Sequence, residues 1–364
     1  MSKRICIFLA FTFFPLFLFS QKNTRTEHLF VITLDGFRWQ EVFNGADSAL
    51  LFNREYTHDS AFYVQKFWAK TAEERRKILL PFFWSTLAKE GQIYGNRKFG
   101  NHVNVANGMW FSYPGYNEIF TGNPDDKNVK SNDKIPNPNT NVLEFLNRQK
   151  GFEGKVVAFT SWDVFPWILN EERSKILVNS GFENLEAGKN PVIQSLNTLQ
   201  HQQPKYWKDG VRMDFLTWAF MKEYVRDNHP RVVFVGLDET DDYAHEGRYD
   251  FYLSVANQTD AWLAELWNFI QNDPQYRNKT TLLITVDHGR GDKVKKQWRD
   301  HGTKTEDSSE MWFAVIGPDS KPLGEVKQPM QFYQKQFAQT MAQLLGFHFT
   351  CEHEVAPAIE PVFR

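Results

Sequence analysis

Residues 281–302, TLLITVDHGRGDKVKKQWRDHG, constrain this chain more than any other stretch. Leu282, Leu283, Ile284 and Val286 read as a buried strand that runs straight into the adjacent pair Asp287–His288, and a second His–Gly follows at His301–Gly302. Ionisable residues at the carboxyl end of an apolar strand stand where open α/β sheets hold their ligands. An acid, two imidazoles and glycines within one strand and its loop supply half of a metal site. The other half has to come from elsewhere in the chain.

Two further strands end in the same way. LFVITLD (29–35) finishes on Asp35 and is followed by Gly36. RVVFVGL (231–237) leads into DETDDYAHEG, where Asp241 and His245 are four apart and so share one face of a turn or helix start. Asp238 and Asp242 compete with Asp241 for a ligand's role; the spacing to His245 favours Asp241, and the other two read as caps or as partners of the ligands. A short strand, VNVAN (103–107), precedes GMWFSYPGYNEIFTG, in which Pro114 suits the first turn of a helix beginning near Ser112. Ser112 is either the cap of that helix or a nucleophile. Grouped by chemistry, these residues make two sets of three to four carboxylate and imidazole ligands, as zinc prefers. Two such metals about 3.5–4 Å apart can clamp the attacking and leaving oxygens of a phosphoryl transfer.

Between these points the pattern predicts a helix over 73–90 kinked at Pro81, helices at 142–149, 215–225 and 249–270, and strands at 155–160 and 311–317. A last amphipathic helix is expected around 331–345. Strands alternating with helices predict an α/β fold with a mainly parallel central sheet and helices on both faces. No repeat divides the chain. Residues 21–364 read as one domain with loop insertions near 40–70, 123–140 and 160–210, the second of them a polar surface loop.

Lys3 and Arg4 precede an apolar run from Ile5 to Phe19, and Ser20 gives way to polar sequence, as in a secretory signal peptide over 1–20. The run is short for a membrane span and Pro15 interrupts it, which sets aside an uncleaved anchor. Cys6 falls inside this segment, so Cys351 is the single thiol of the mature chain and makes no internal disulfide. The expected destination is the periplasm or the exterior, with no stable membrane insertion after signal removal. A net charge of −2 provides no global field for nucleic acid, so a nucleic-acid-binding surface is not expected.

The order Asp35 … Ser112-Tyr113-Pro114 … Asp241-x-x-x-His245 … Asp287-His288 … His301 resembles the alkaline phosphatase superfamily, and most its type I phosphodiesterase/nucleotide pyrophosphatase branch. The resemblance spans 29–317 through dispersed motifs and implies an alkaline phosphatase-like fold with two divalent metal ions, zinc by preference. It implies one metal on Asp241, His245 and His301, another on Asp35, Ser112, Asp287 and His288, and Ser112 as nucleophile. It further implies an Asn beyond the nucleophile helix for a phosphate oxygen, matched by Asn132. Arg38 and Arg290, beside ligands, are candidate contacts to substrate phosphate, or else partners of carboxylates. The chain departs from the family in Ser for Thr at 112, in Gly115-Tyr116 after the proline and in Ala244 before the ligand His. The expected substrate is a small-molecule phosphate ester. Phosphodiesters or pyrophosphates are favoured over monoesters because no third cationic site is evident. A phosphoryl-substituent transferase or a non-catalytic surface-binding protein are the alternatives.

Overall fold

The computed structural model describes residues 24–364 except 187, 189, 208 and 209. The signal segment 1–20 lies outside the described residues. Eleven strands are described: β1 His28–Leu34, β2 Gln92–Tyr94, β3 Asn101–Asn104, β4 Val156–Thr160, β5 Leu177–Ser180, β6 Val232–Leu237, β7 Thr280–Thr285, β8 Glu310–Met311, β9 Phe313–Ile316, β10 Gly324–Glu325 and β11 Met330–Tyr333. Eight form one sheet in the order β10-β2-β9-β7-β1-β6-β4-β5, and β11-β3-β8 form a small second sheet. In the large sheet β7, β1, β6, β4 and β5 are all mutually parallel, while β9 runs antiparallel to both β7 and β2.

The composition of the central strands explains their position. HLFVITL, VVFVGL and TTLLIT are near-continuous β-branched and aliphatic runs, the signature of strands covered on both faces. Every residue of β1, β4, β6, β7 and β9 is buried, as helices on both sides of the sheet require. Each fully buried Val, Leu, Ile or Phe contributes about 1.5–3 kcal/mol relative to exposure. Replacing Val233 or Ile284, both wholly buried, by Asp would set an unpaired carboxylate in that layer and break it. The expected α/β architecture is the one observed. Among the described residues no helix is long and apolar enough to cross a membrane.

Local differences have local causes. The expected helix 73–90 is three pieces: Ala72–Leu79, opened by a Thr71–Glu74 capping box, a π-helical turn Phe83–Leu87, and Ala88–Glu90. The break falls at Leu80, and Pro81 opens the next helical stretch, where its missing N–H and fixed φ suit a first turn. The strand expected at 311–317 splits at Trp312, whose indole donates to the Phe37 carbonyl at 2.8 Å as the chain passes from the small sheet to the large one. The helix expected from 331 begins only at Phe337. Its first residues are β11, where Phe332 is buried between exposed Gln331 and Tyr333, a period of two hidden by the helical pattern behind it. The strand near 103–107 sits two to three residues earlier than expected.

Candidate active site

β7, β1 and β6 are neighbours in the sheet, so the residues just past their carboxyl ends meet. Asp35 follows β1 and its backbone N–H donates to Leu237 at the end of β6 (2.9 Å). Asp287 and His288 follow β7; Asp287 Oδ1 accepts from the Gly36 N–H at 3.1 Å. Gly36 takes the left-handed φ of 57°, and a Cβ there would lie 2.7 Å from Arg290 Nη1 and 3.1 Å from both Asp241 Oδ1 and His288 Cε1. Only glycine fits this turn, because both its backbone conformation and the space exclude a side chain.

Asp35, Asp287 and His288 form the inner group, each essentially inaccessible to solvent. His288 Nδ1 donates to the Gly289 carbonyl (2.9 Å), which turns Nε2 toward Asp35 Oδ1 (3.3 Å), Asp287 Oδ2 (3.4 Å) and Ser112 Oγ (3.4 Å). Such a bond from the distal ring nitrogen is how metal-ligating histidines are oriented. Asp35 Oδ1 and Asp287 Oδ2 are buried with no hydrogen-bond partner. Burial alone pulls the His288 imidazole down, but Asp287 and Asp35 outweigh it and push it up to about 9. Burial and the neighbouring Asp35 hold the Asp287 carboxyl well above the usual range. The group is short of positive charge, so its residues fit a divalent cation.

Asp241, His245 and His301 form the outer group. His245 Nε2 lies 3.1 Å from Asp241 Oδ2 and 3.0 Å from His301 Nε2, and His301 Nε2 is 3.5 Å from Asp241 Oδ1. The helix Glu239–His245 puts the i and i+4 side chains on one face, as their spacing predicted. The donors that converge most tightly here are Asp241, His301 and His288, with His245 joined to them through Asp241 and His301; Asp238, Glu239 and Asp242 are not among them, and Asp238, at the cap position, makes no side-chain cap bond. Asp214 does that work instead: its carboxylate accepts from the Asp238 and Glu239 N–H groups (2.9 and 3.1 Å) and from Ser161 Oγ (2.6 Å). Burial raises Asp214 to about 6. His288 also stands within reach of the outer donors, so the two groups share a wall.

Ser112 is the first residue of the helix Ser112–Thr121 and Phe111 is its cap, which sets aside the capping role for the serine. Gly115 lets this helix rest on the site: a Cβ there would be 2.5 Å from the Asp287 carbonyl. Tyr116 donates to Asp35 Oδ2 (3.1 Å). Asn132 is also brought in, its Oδ1 accepting from the Tyr113 N–H at 3.0 Å. Trp110 holds a left-handed φ of 54°, fixed by Asn107 Oδ1, which accepts from Met109 and Trp110 (3.0 and 3.1 Å). Asn107 is in turn gripped by the buried Glu118, whose burial raises its carboxyl to about 7.

The two arginines do not face the opening as substrate contacts. Arg38 is fully buried, paired with Glu41 and donating to the Gly291 carbonyl (3.0 Å). Arg290 is equally buried, paired with Asp241 and donating to the carbonyls of Trp298 (3.0 Å) and Arg299. A guanidinium buried away from water is stable only against such acceptors, which removes it from substrate. Asp214, Tyr116 and Glu118 were missed by sequence reasoning; an Asp opening the helix Asp214–Asn228 was the one available signal.

Strand-end carboxylates and imidazoles meet at the centre of a mainly parallel sheet in an alkaline phosphatase-like α/β fold. Among solved structures, the chain is similar to the alkaline phosphatase PafA (TM-score 0.58, 10% identity, 93% of this chain and 99% of that one). It is also similar to the lipoteichoic acid synthase LtaP from Listeria monocytogenes (TM-score 0.53, 10% identity, 88% and 72%). A third is the phosphoethanolamine transferase EptA from Neisseria meningitidis (TM-score 0.52, 10% identity, 89% of this chain and 55% of that one). At these identities the likeness is one of fold. Residues 216–348 match the model of the Metalloenzyme superfamily, a segment that contains Asp241, His245, Asp287, His288 and His301. The resemblance to the alkaline phosphatase superfamily thus holds, while the type I phosphodiesterase branch is not singled out. No curated protein matches the sequence.

Proposed function

We propose that residues 21–364 form one exported domain that hydrolyses small-molecule phosphate esters with two divalent cations, zinc by the chemistry of the donors. The observation that carries this reading is the convergence of Ser112 Oγ, His288 Nε2 and the buried oxygens of Asp35 and Asp287, with Asp241, His245 and His301 alongside. The inner ligands are Asp35, Ser112, Asp287 and His288; the outer ones are Asp241, His245 and His301. Bound there, the cations supply positive charge that eases deprotonation of a hydroxyl and stabilises phosphoryl oxygens.

Ser112 Oγ attacks phosphorus in line. Its bond to phosphorus forms as the ester P–O bond breaks, and the alcohol leaves with the proton that the serine has released. Water then adds to the phosphoseryl group and returns Ser112 as the hydroxyl. The helix beginning at Ser112 adds its N-terminal dipole to the field on the phosphoryl group. Asn132, its oxygen held by the Tyr113 N–H, has its amide nitrogen left for a phosphate oxygen. With Arg38 and Arg290 committed to carboxylates, neither of these guanidinium groups is left to meet the second negative charge of a monoester, which favours diesters or pyrophosphates. A transferase using the same phosphoseryl step with an alcohol in place of water is the second reading, favoured by the likeness to LtaP and EptA.

The test is metal content together with hydrolysis of bis-p-nitrophenyl phosphate and p-nitrophenyl phosphate. About two zinc per chain and a diester rate at least about tenfold higher are expected. Ser112→Ala should lose at least about 10³-fold in turnover while staying folded. Comparable rates on the two esters would remove the diester preference. Neither metal nor turnover would leave a non-catalytic binding protein.

A further inference from the structure

The two donor groups differ in charge in a way that the ligand types alone do not show. The inner group holds two carboxylates paired with His288 Nε2 (3.3 and 3.4 Å), which is itself a donor of the same group. The outer group holds a single carboxylate, and that one is already ion-paired: Arg290 Nη1 donates to Asp241 Oδ1. The guanidinium cannot withdraw. Its Nε and Nη2 are fixed on the carbonyls of Trp298 and Arg299, and Gly36 closes over Nη1 so tightly that a Cβ would lie 2.7 Å from it. The same loop carries Arg299, which donates to the His245 carbonyl at 2.9 Å. Residues 290–301 therefore hold Asp241 and His245 by two arginines and end on the third outer donor, His301.

We propose that Arg290 is a resident cation of the outer group. It orients Asp241 so that Oδ2 faces His245, and it cancels the carboxylate's charge. The Asp241–His245–His301 donors then bind a divalent cation more weakly than Asp35–Asp287–His288, and the outer ion is the exchangeable one. The reason is Coulombic: attraction of a divalent ion scales with the ligand charge it meets, and a fixed, buried guanidinium on the same carboxylate opposes it. The guanidinium stays charged at any working pH, so the offset does not titrate away. The inference rests on the two-metal reading of the site above.

The experiment is titration of the full chain, stripped of metal, with zinc against a competing chelator, followed in parallel by the visible bands of cobalt as a spectroscopic probe. The wild type should show two steps at least a hundredfold apart. Arg290→Met, close in length and uncharged, should tighten the weaker step at least tenfold and leave the stronger one in place. Arg290→Lys keeps the charge and should keep the separation. His245→Ala, altering a half-exposed side chain, should remove the weaker step alone. Two equal steps in the wild type, an Arg290→Met variant with an unchanged or weakened outer step, or loss of the stronger step in His245→Ala would each overturn the role of Arg290 while leaving the two-metal site standing. Should Arg290→Met not fold, the wild-type separation and the step lost in His245→Ala decide the question. A wild type that takes up no ion would overturn the metal reading itself.

Discussion

The inner and outer donor groups share one cleft but are built by different means. Asp35, Asp287 and His288 sit directly on the ends of β1 and β7, with side chains 0–1% exposed. Asp241 and His245 ride on a seven-residue helix and His301 on a long loop; the His245 side chain is 44% exposed and the other two are 14% exposed. A strand end in a central sheet inherits the rigidity of two flanking ladders, whereas a short helix and a loop depend on capping and ion pairs. The inner group is thus a fixture of the sheet, and the outer group is an attachment to it that can be weakened by itself.

The largest test of that contrast is a pair of substitutions. Asp287→Asn should lower kcat/KM at least about 10³-fold, and excess zinc should fail to restore it. His245→Ala should cost about 10–100-fold at limiting metal and recover substantially when zinc is raised. Equal rescue of both variants would erase the distinction.

Asp260 provides a contrast of another kind, a buried carboxyl outside the cluster whose oxygens are met by the N–H groups of Phe82 (2.7 Å) and Phe83 (3.1 Å). Burial raises it to about 7 from 3.8. Between those values the folded protein keeps a proton that the unfolded chain has released, so stability from this group is present at low pH and lost as pH rises toward about 7. The stability deficit of Asp260→Asn relative to wild type should therefore shrink by a few kcal/mol, roughly three pKa units' worth, between pH 4 and 7. Denaturant midpoints at both pH values measure it, and saturating zinc should not change the difference. A metal-sensitive difference would mean that Asp260 and the cluster are coupled.

The smallest effect probes the attachment of the outer group. Asp214→Asn leaves one good acceptor for two helix N–H groups and should cost about 1–2 kcal/mol in stability. It should also weaken the outer metal step while sparing the inner one. Loss of both steps together would show that the Glu239–His245 helix supports the whole cleft.

The sequence disclosed what is local. Apolar strands ending in Asp35 and in Asp287–His288, and an acid and a histidine four apart, are visible because strand ends and helix turns impose short-range spacings. All seven expected ligands gather at one end of the sheet. What stayed hidden depends on contacts between distant segments. Arg290 reads equally as a substrate contact or a carboxylate's partner until the fold places it against Asp241, 49 residues earlier, and nothing marks Asp214, beside the helix expected at 215–225, as the cap of a different helix 24 residues on. The reversal of β9 was likewise illegible, because a four-residue apolar strand has the same pattern in either direction.

The place of β1 has a consequence for how the protein comes into being. Leu29 lies opposite Val232 on one side and Thr281 on the other, so the first of the described strands is flanked by two from the second half of the chain. About two hundred residues must emerge before either edge of β1 is paired, an arrangement of very non-local contacts that folds slowly and leaves an apolar edge open meanwhile. The cleft cannot assemble on a partial chain, because Asp35 waits for residues as late as His301. A chain of this design stays chemically silent until its synthesis is nearly complete.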